Sequence, residues 1–222
     1  MTAILVVVTI VAFLGVEFLR SRKQTARAAA VRRFFAGSWS PEMFGRDDGV
    51  FYASGHTWAR LESDGAVRVG IDDFAQRLLG RVEHIETAPA GVELGRGDAA
   101  FVLHQGGKSA AFAPPVEGVV TAVNEAALLD PVRVERDPFG SGWLMRLAPR
   151  RLADDLRRLR VAGEARRWLR EEVARFEEFV AGQMPPDAVG ATLPDGGLPV
   201  DGVLEHLDSK SWERFETEFL AS

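Results

Sequence analysis

The chain has 222 residues, 46% of them hydrophobic and 27% charged, with a formal net charge of -5. This is ordinary globular composition, long enough for one well-buried domain plus appendages. Cysteine is absent, which excludes disulfides, thiolate metal sites, iron–sulfur clusters and cysteine nucleophiles.

The charge is uneven: residues 1–35 carry six Arg or Lys against one Glu, leaving the remainder acidic. No nucleic-acid partner is expected. Thr2 to Leu19, "TAILVVVTIVAFLGVEFL", holds a single charge, Glu17, near its end. At 1.5 Å per residue a helix of that length nearly crosses a hydrocarbon core of about 30 Å. No Lys or Arg precedes the run, while Arg20, Arg22, Lys23, Arg27, Arg32 and Arg33 follow it. That order is the reverse of a cleaved signal peptide. The positive-inside rule therefore predicts a single-pass transmembrane helix over residues 1–20, membrane attachment through residues 2–19, and a cytoplasmic soluble part. Residues 21–50 read as a basic juxtamembrane helix and linker.

From residue 51 short β-like runs alternate with turn signals. "HTWARLE" and "AVRVGI" flank Ser63-Asp64-Gly65, a hairpin. "DDFAQRLLG", Asp72 to Gly80, has a capping Asp, apolar Phe74, Leu78 and Leu79 and a terminal Gly, which predicts one short helix. Strands resume in "RVEHIETA", "AAFVLHQ", "AAFAPPVEGVVTAVNE" and "GWLMRLAP". Gly106, Gly107, Lys108 and Ser109 form the tip of a hairpin within this set. A mostly-β sandwich or flattened barrel is the expected fold.

Four stretches in this region, "YASGHTW", "VGIDDFAQRLLG", "PVEGVVTAVNEAALLDP" and "DPFGSGWLMRLAP", occur in order and at matching spacing over residues 52–149. Here the chain resembles the H protein of the glycine cleavage system, a lipoyl-domain relative. The resemblance implies a lipoyl-type β domain, residues 51–149. It also implies a question about Lys108, because the family carries lipoate on a hairpin-tip lysine with a glutamate three residues before it, and the lipoyl arm shuttles an aminomethyl group between enzymes. Gly97 matches the family's glycine ten residues before the carrier lysine, and Pro115 its proline eight residues after. Both place the carrier position at Gly107, set His104 where the glutamate belongs, and leave Lys108 one residue beyond. In a strand a one-residue shift turns the side chain to the other face. The expectation is a domain without cofactor; the alternative is lipoate on Lys108, admitted by a one-residue slide within the Gly-Gly turn.

Other chemistry at this tip finds no support. "GKS", Gly107 to Ser109, lacks the upstream glycine of a phosphate-binding loop and the helix after it. The four histidines, His56, His84, His104 and His206, show no metal-ligand spacing, so no metal site is expected, and no catalytic constellation is visible. His56 and Trp58 read as packing and hydrogen-bonding residues.

Residues 150–222 read as an α-helical extension. Leu152, Leu156 and Leu159, then Trp168, Leu169, Val173, Phe176 and Val180, recur at helical spacing, giving two amphipathic helices or one kinked at Gly163. "MPPDAVGATLPDGGLPVDG" is turn-rich. A final helix pair follows, with Ser209 or Ser211 as N-cap and Trp212, Phe215 and Phe219 on one face. The expected function is that of a membrane-anchored, non-catalytic interaction or accessory protein, with protein partners met through the β domain or the C-terminal helices. The alternative is a lipoyl carrier serving glycine decarboxylation or another lipoate-dependent transfer through Lys108.

Overall fold

A computed structural model describes Phe13, Arg22, Phe44, residues 47–183 and residues 202–221. The transmembrane expectation for residues 1–20 lies outside the described residues apart from Phe13, and the juxtamembrane expectation for residues 21–50 apart from Arg22, Phe44 and residues 47–50. Among the described residues no helix is long and apolar enough to cross a membrane.

Two sheets build the β domain. The larger runs in the order β10-β1-β2-β3-β9-β8-β5, the smaller β4-β6-β7. Its strands are β1 (Phe51–Tyr52), β2 (Thr57–Leu61), β3 (Val67–Ile71), β4 (His84–Thr87), β5 (Glu93–Leu94), β6 (Phe101–Gln105), β7 (Lys108–Phe112), β8 (Gly118–Val123), β9 (Met145–Pro149) and β10 (Arg160–Val161). Alternation of apolar residues along β6 and β7 buries Phe101, Leu103, Ala110 and Phe112, the pattern of strands with one face on a core. Trp58 is fully buried and faces Gly70 across β2 and β3. A Cβ on Gly70 would stand 2.9 Å from the indole, so the large ring is accommodated by the missing side chain opposite.

Helix α1 (Asp73–Leu79) forms as its sequence predicts: the Asp72 carboxylate accepts from Ala75 N–H at 2.8 Å, and Gly80 ends the helix with φ +74. Two short helices, α2 (Glu125–Leu129) and α3 (Val132–Arg136), occupy the connection between β8 and β9.

The stretch after Pro149 departs from its periodicity. Helix α4 covers only Leu152–Leu156, and Arg160–Val161 is a strand that pairs with β1, Phe51 opposite Val161 and Tyr52 opposite Arg160. Pairing with an otherwise open edge satisfies backbone groups that a local helix would have satisfied internally. Gly163 is therefore not a kink between helices; it lies in the first turn of α5 (Ala162–Gln183).

Residues 41–171 and 199–222 make one compact unit, and α5 beyond Glu171 belongs to a second. In that second unit the described residues are helical, with Phe176 and Phe179 stacked at 6.0 Å and Arg175 paired to Glu172 at 2.8 Å. In the first unit, a 3-10 turn (Val203–His206), helix α6 (Ser209–Phe215) and a π-helical turn (Glu216–Leu220) complete the chain. The N-cap of α6 is Asp208, whose carboxylate accepts from Ser211 N–H at 2.8 Å. Ser209 and Ser211, the expected caps, lie inside the helix. A carboxylate at the cap position can accept that N–H and also meets the positive end of the helix.

Candidate functional site

Strands β6 and β7 pair without a break from Phe101 opposite Phe112 to Gln105 opposite Lys108. Only Gly106 and Gly107 remain between them, with φ +54 and +75. Two successive positive-φ residues are what a two-residue hairpin turn requires, and glycine adopts them without strain. The tip is thus two residues rather than the four read from sequence, and Lys108 and Ser109 belong to β7. Gly107, the aligned carrier position, stands in open space: a Cβ there would meet nothing within 4 Å.

Lys108 has a different environment. It lies on the same face of β7 as buried Ala110 and Phe112, while Ser109 and Ala111 lie on the exposed face. Its ammonium donates to the backbone carbonyls of Leu204 and Glu205, each at 3.1 Å, and to that of Leu207. It also sits 5.3 Å from the centroid of the Trp212 ring. Leu204 O already accepts from Leu207 N–H at 3.2 Å, and its second lone pair, with the carbonyls of Glu205 and Leu207, faces the ammonium at the negative end of the short turn, where a cation satisfies both hydrogen bonding and charge. The indole face adds a cation–π contact.

The residues around Lys108 extend the same contact. Gln105 Nε2 donates to Glu205 Oε1 at 2.8 Å and to the carbonyl of Leu79. Glu205 Oε1 also accepts from Arg81 N–H at 3.2 Å. Gly202 N–H donates to Arg77 O at 2.7 Å, ahead of a left-handed backbone at φ +83. Arg81, Glu83, Gln105, Gly106, Lys108 and Glu205 together line a cleft of about 410 Å³ beside the hairpin.

Further along, Trp212 Nε1–H donates to Ser109 O at 2.8 Å. The carboxyl of Glu216 takes a hydrogen bond from the backbone of Ala111, yet burial raises its pKa above the ordinary glutamate value, with the neighbouring charge of Glu213 adding to the rise. β7 is the edge of the smaller sheet, and alternate residues of an edge strand point their N–H and C=O outward. Ser109 and Ala111 are such residues: Trp212 takes the Ser109 carbonyl and Glu216 the Ala111 N–H.

His104, at the position where the family has glutamate, lies opposite Ser109, with Nε2 3.1 Å from Glu86 Oε1 and its ring 5.7 Å from that of His84. No group of three His, Asp or Glu among the described residues is placed to hold a metal ion. His56 is wholly buried, stacked at 5.0 Å on Trp168 and 4.8 Å from Phe74, with Nδ1 2.9 Å from Asp72 Oδ2. The pair holds the turn before β2 against the start of α1. Gly107-Lys108-Ser109 continues into a strand, without the helix a phosphate loop requires.

Sequence reasoning missed Glu205, Glu216 and the carbonyls of Leu204, Glu205 and Leu207 as partners of the hairpin. It did place Trp212, Phe215 and Phe219 on one helix face, and all three are buried.

A family model described as Glycine cleavage H-protein matches residues 50–172. Among similar proteins, "Glycine cleavage system H protein 2" of Pseudomonas putida is 42% identical over 112 residues, covering 50% of this chain and 87% of that protein. "Glycine cleavage system H protein" of Psychrobacter cryohalolentis is 39% identical over 103 residues, 46% of this chain and 82% of that one. "Probable glycine cleavage system H protein" of Pyrococcus horikoshii is 33% identical over 112 residues, 50% of this chain and 83% of that one. A crystal structure of a glycine cleavage system H protein from Mycobacterium marinum is similar with a TM-score of 0.44 and 28% identity, covering 46% of this chain and 85% of that one.

Proposed function

Because this chain belongs to the glycine cleavage H-protein family, we propose that it is a member that carries no lipoyl group and acts as a non-catalytic accessory protein, binding protein partners. The observation that carries this reading is the pairing of Gln105 with Lys108, which puts Gly107 in the turn and Lys108 in the strand, against the C-terminal segment. An amine that donates to three carbonyls of its own chain is not displayed for acylation. Residues 2–19 would hold the protein at a membrane, with the β domain on the cytoplasmic side, consistent with the cations that follow them.

Intact mass of protein isolated from its own, lipoate-replete host tests the first part. Unmodified protein is expected; a lipoyl increment lost in Lys108→Ala would establish the carrier reading instead. Gly107→Lys sharpens the test. It places an amine in open space at the cost of a non-glycine residue at φ +75, on the order of 1–2 kcal/mol. With lipoate, ATP and a lipoate ligase this variant is expected to gain the increment at residue 107 while the unsubstituted chain does not. Retention of full-length protein in membranes after carbonate washing tests the anchor, and release into the wash would remove it.

A further inference from the structure

The family match ends at Glu172, yet residues 202–221 are in contact with the hairpin along its whole length. Gly202 meets the end of α1 through Arg77 O, Glu205 bridges Arg81 and Gln105, the turn carbonyls hold Lys108, Trp212 reaches Ser109, and Glu216 reaches Ala111. In chain order these contacts run from α1 past the tip and along β7. Phe215 and Phe219 are buried and stacked on each other at 5.2 Å, and buried Leu220 lines a groove beside Ala111 and Phe112. The segment takes the place a fourth strand would have beside β7, using side chains where a strand would use its backbone.

The hairpin does not need this segment to close. Its turn is two glycines and its strands pair fully with each other. Nor does the segment fit the sheet without gaps. A groove of about 450 Å³ remains where Ala99, Ala111 and Phe112 face Glu216, Thr217 and Leu220. The segment also ends in a π-helical turn, closed by Ala221 N–H on Glu216 O at 3.1 Å, a geometry used only briefly in proteins and often at functional places. In sequence it follows a Pro- and Gly-rich stretch, residues 184–201.

We propose that residues 202–221 are a releasable cover, an intramolecular ligand whose displacement is required before another molecule can reach the Lys108 amine or the edge of β7. The inference deepens the accessory-protein reading and rests on it. Closed, the protein ties its half-buried amine to backbone carbonyls and covers its strand edge; open, it frees the amine and presents an unpaired strand to which an extended segment of a partner protein can add.

The chain contains three lysines, Lys23, Lys108 and Lys210, so acetylation with an amine-reactive ester, followed by peptide mass spectrometry, reads the cover directly. Lys210 is exposed on α6 and serves as the internal reference. In full-length recombinant protein free of lipoate, Lys108 is expected to react about tenfold more slowly than Lys210. In the full-length Trp212→Ala, Phe219→Ala variant the Lys108 rate is expected to rise about tenfold while that of Lys210 stays constant. Equal rates in the unsubstituted chain would overturn the proposal, as would a slow Lys108 in a folded variant. If the variant does not fold, native-state hydrogen exchange of the unsubstituted chain decides. Exchange of Ala111 together with α6, ahead of the β2–β3 amides, supports a cover; exchange of all of them as one unit overturns it. A lipoyl increment on host protein would overturn the accessory reading and leave these labelling rates as they are.

Discussion

Two hairpins of this domain end in tight turns with positive-φ glycines, yet they are completed by different means. In the β2–β3 hairpin everything needed is nearby or in an adjacent strand. Glu62 and Ala66 close the turn at 2.9 Å, Gly65 has φ +83, and Ala66 N–H, first, with Arg146 behind it, holds the Asp64 carboxyl below its ordinary pKa. β1 and β9 pair with both of its edges. The β6–β7 hairpin has an outer edge with no strand beside it among the described residues, and its inward lysine finds acceptors about a hundred residues away in sequence. A shared local motif therefore does not imply shared accessibility: the first tip is open, while the second is covered on one side.

The comparison breaks most sharply if the cover is emptied. Phe215→Ala removes a fully buried ring and is expected to weaken docking of residues 202–221 by about 3–5 kcal/mol. Hydrogen exchange should then accelerate at Ala111 and across α6 while the β2–β3 amides keep their protection. A uniform acceleration would mean that the two hairpins belong to one cooperative unit.

The glycines give the next effect. Gly65→Ala faces only the backbone cost at φ +83, about 1 kcal/mol, since a Cβ there meets nothing within 4 Å. Gly80→Ala adds a collision, because its Cβ would stand 2.9 Å from Gly202 N. Its cost is expected at roughly 3 kcal/mol. Urea unfolding of the two variants measures the difference, and equal costs would remove the close approach of residue 202 to α1.

A smaller change comes from Lys108→Met, which keeps the stem and leaves the carbonyls of Leu204, Glu205 and Leu207 without their cation. A loss of about 2 kcal/mol is expected, read as a lower unfolding midpoint with Lys108→Arg in between. No loss would show the ammonium to be dispensable to the cover.

The smallest effect is a dependence on pH confined to the covered hairpin. The pKa of Glu216 is raised by burial, so its contribution to docking is fully present below the ordinary glutamate value of 4.5 and is lost as pH rises through the raised one. Asp208 is lowered by the Ser211 N–H and side chain, so its contribution is present above 3.8 and fades as pH falls through its depressed value. Lys108 acetylation, normalised to Lys210 at each pH, should therefore be slowest relative to the reference just above pH 4. Glu216→Gln keeps an acceptor for Ala111 and should flatten the rise towards neutrality. An unchanged profile in that variant would exclude Glu216 as its source.

Much of the β domain was legible in order: the Ser63-Asp64-Gly65 turn, the Asp72 and Gly80 boundaries of α1, and the alternation that buries Leu103, Ala110 and Phe112. Such signals are short-range, set by dihedral preference, capping and period-two patterning. The strand at Arg160–Val161 was not legible, because helical periodicity continues through it and only the open edge of β1 makes it a strand. The cap at Asp208 was misplaced by a residue or more among three neighbouring polar residues that can all accept a hydrogen bond.

By itself the sequence determined the family and the β architecture, since both follow from residue identity at fixed local spacing. Only the tertiary structure decided that Lys108 faces inward beneath residues 202–221. That outcome depends on groups about a hundred residues apart, on which carbonyls lie at the end of a short turn, and on which edge of the smaller sheet lies outermost. None of these has a period or a local motif from which it could have been read.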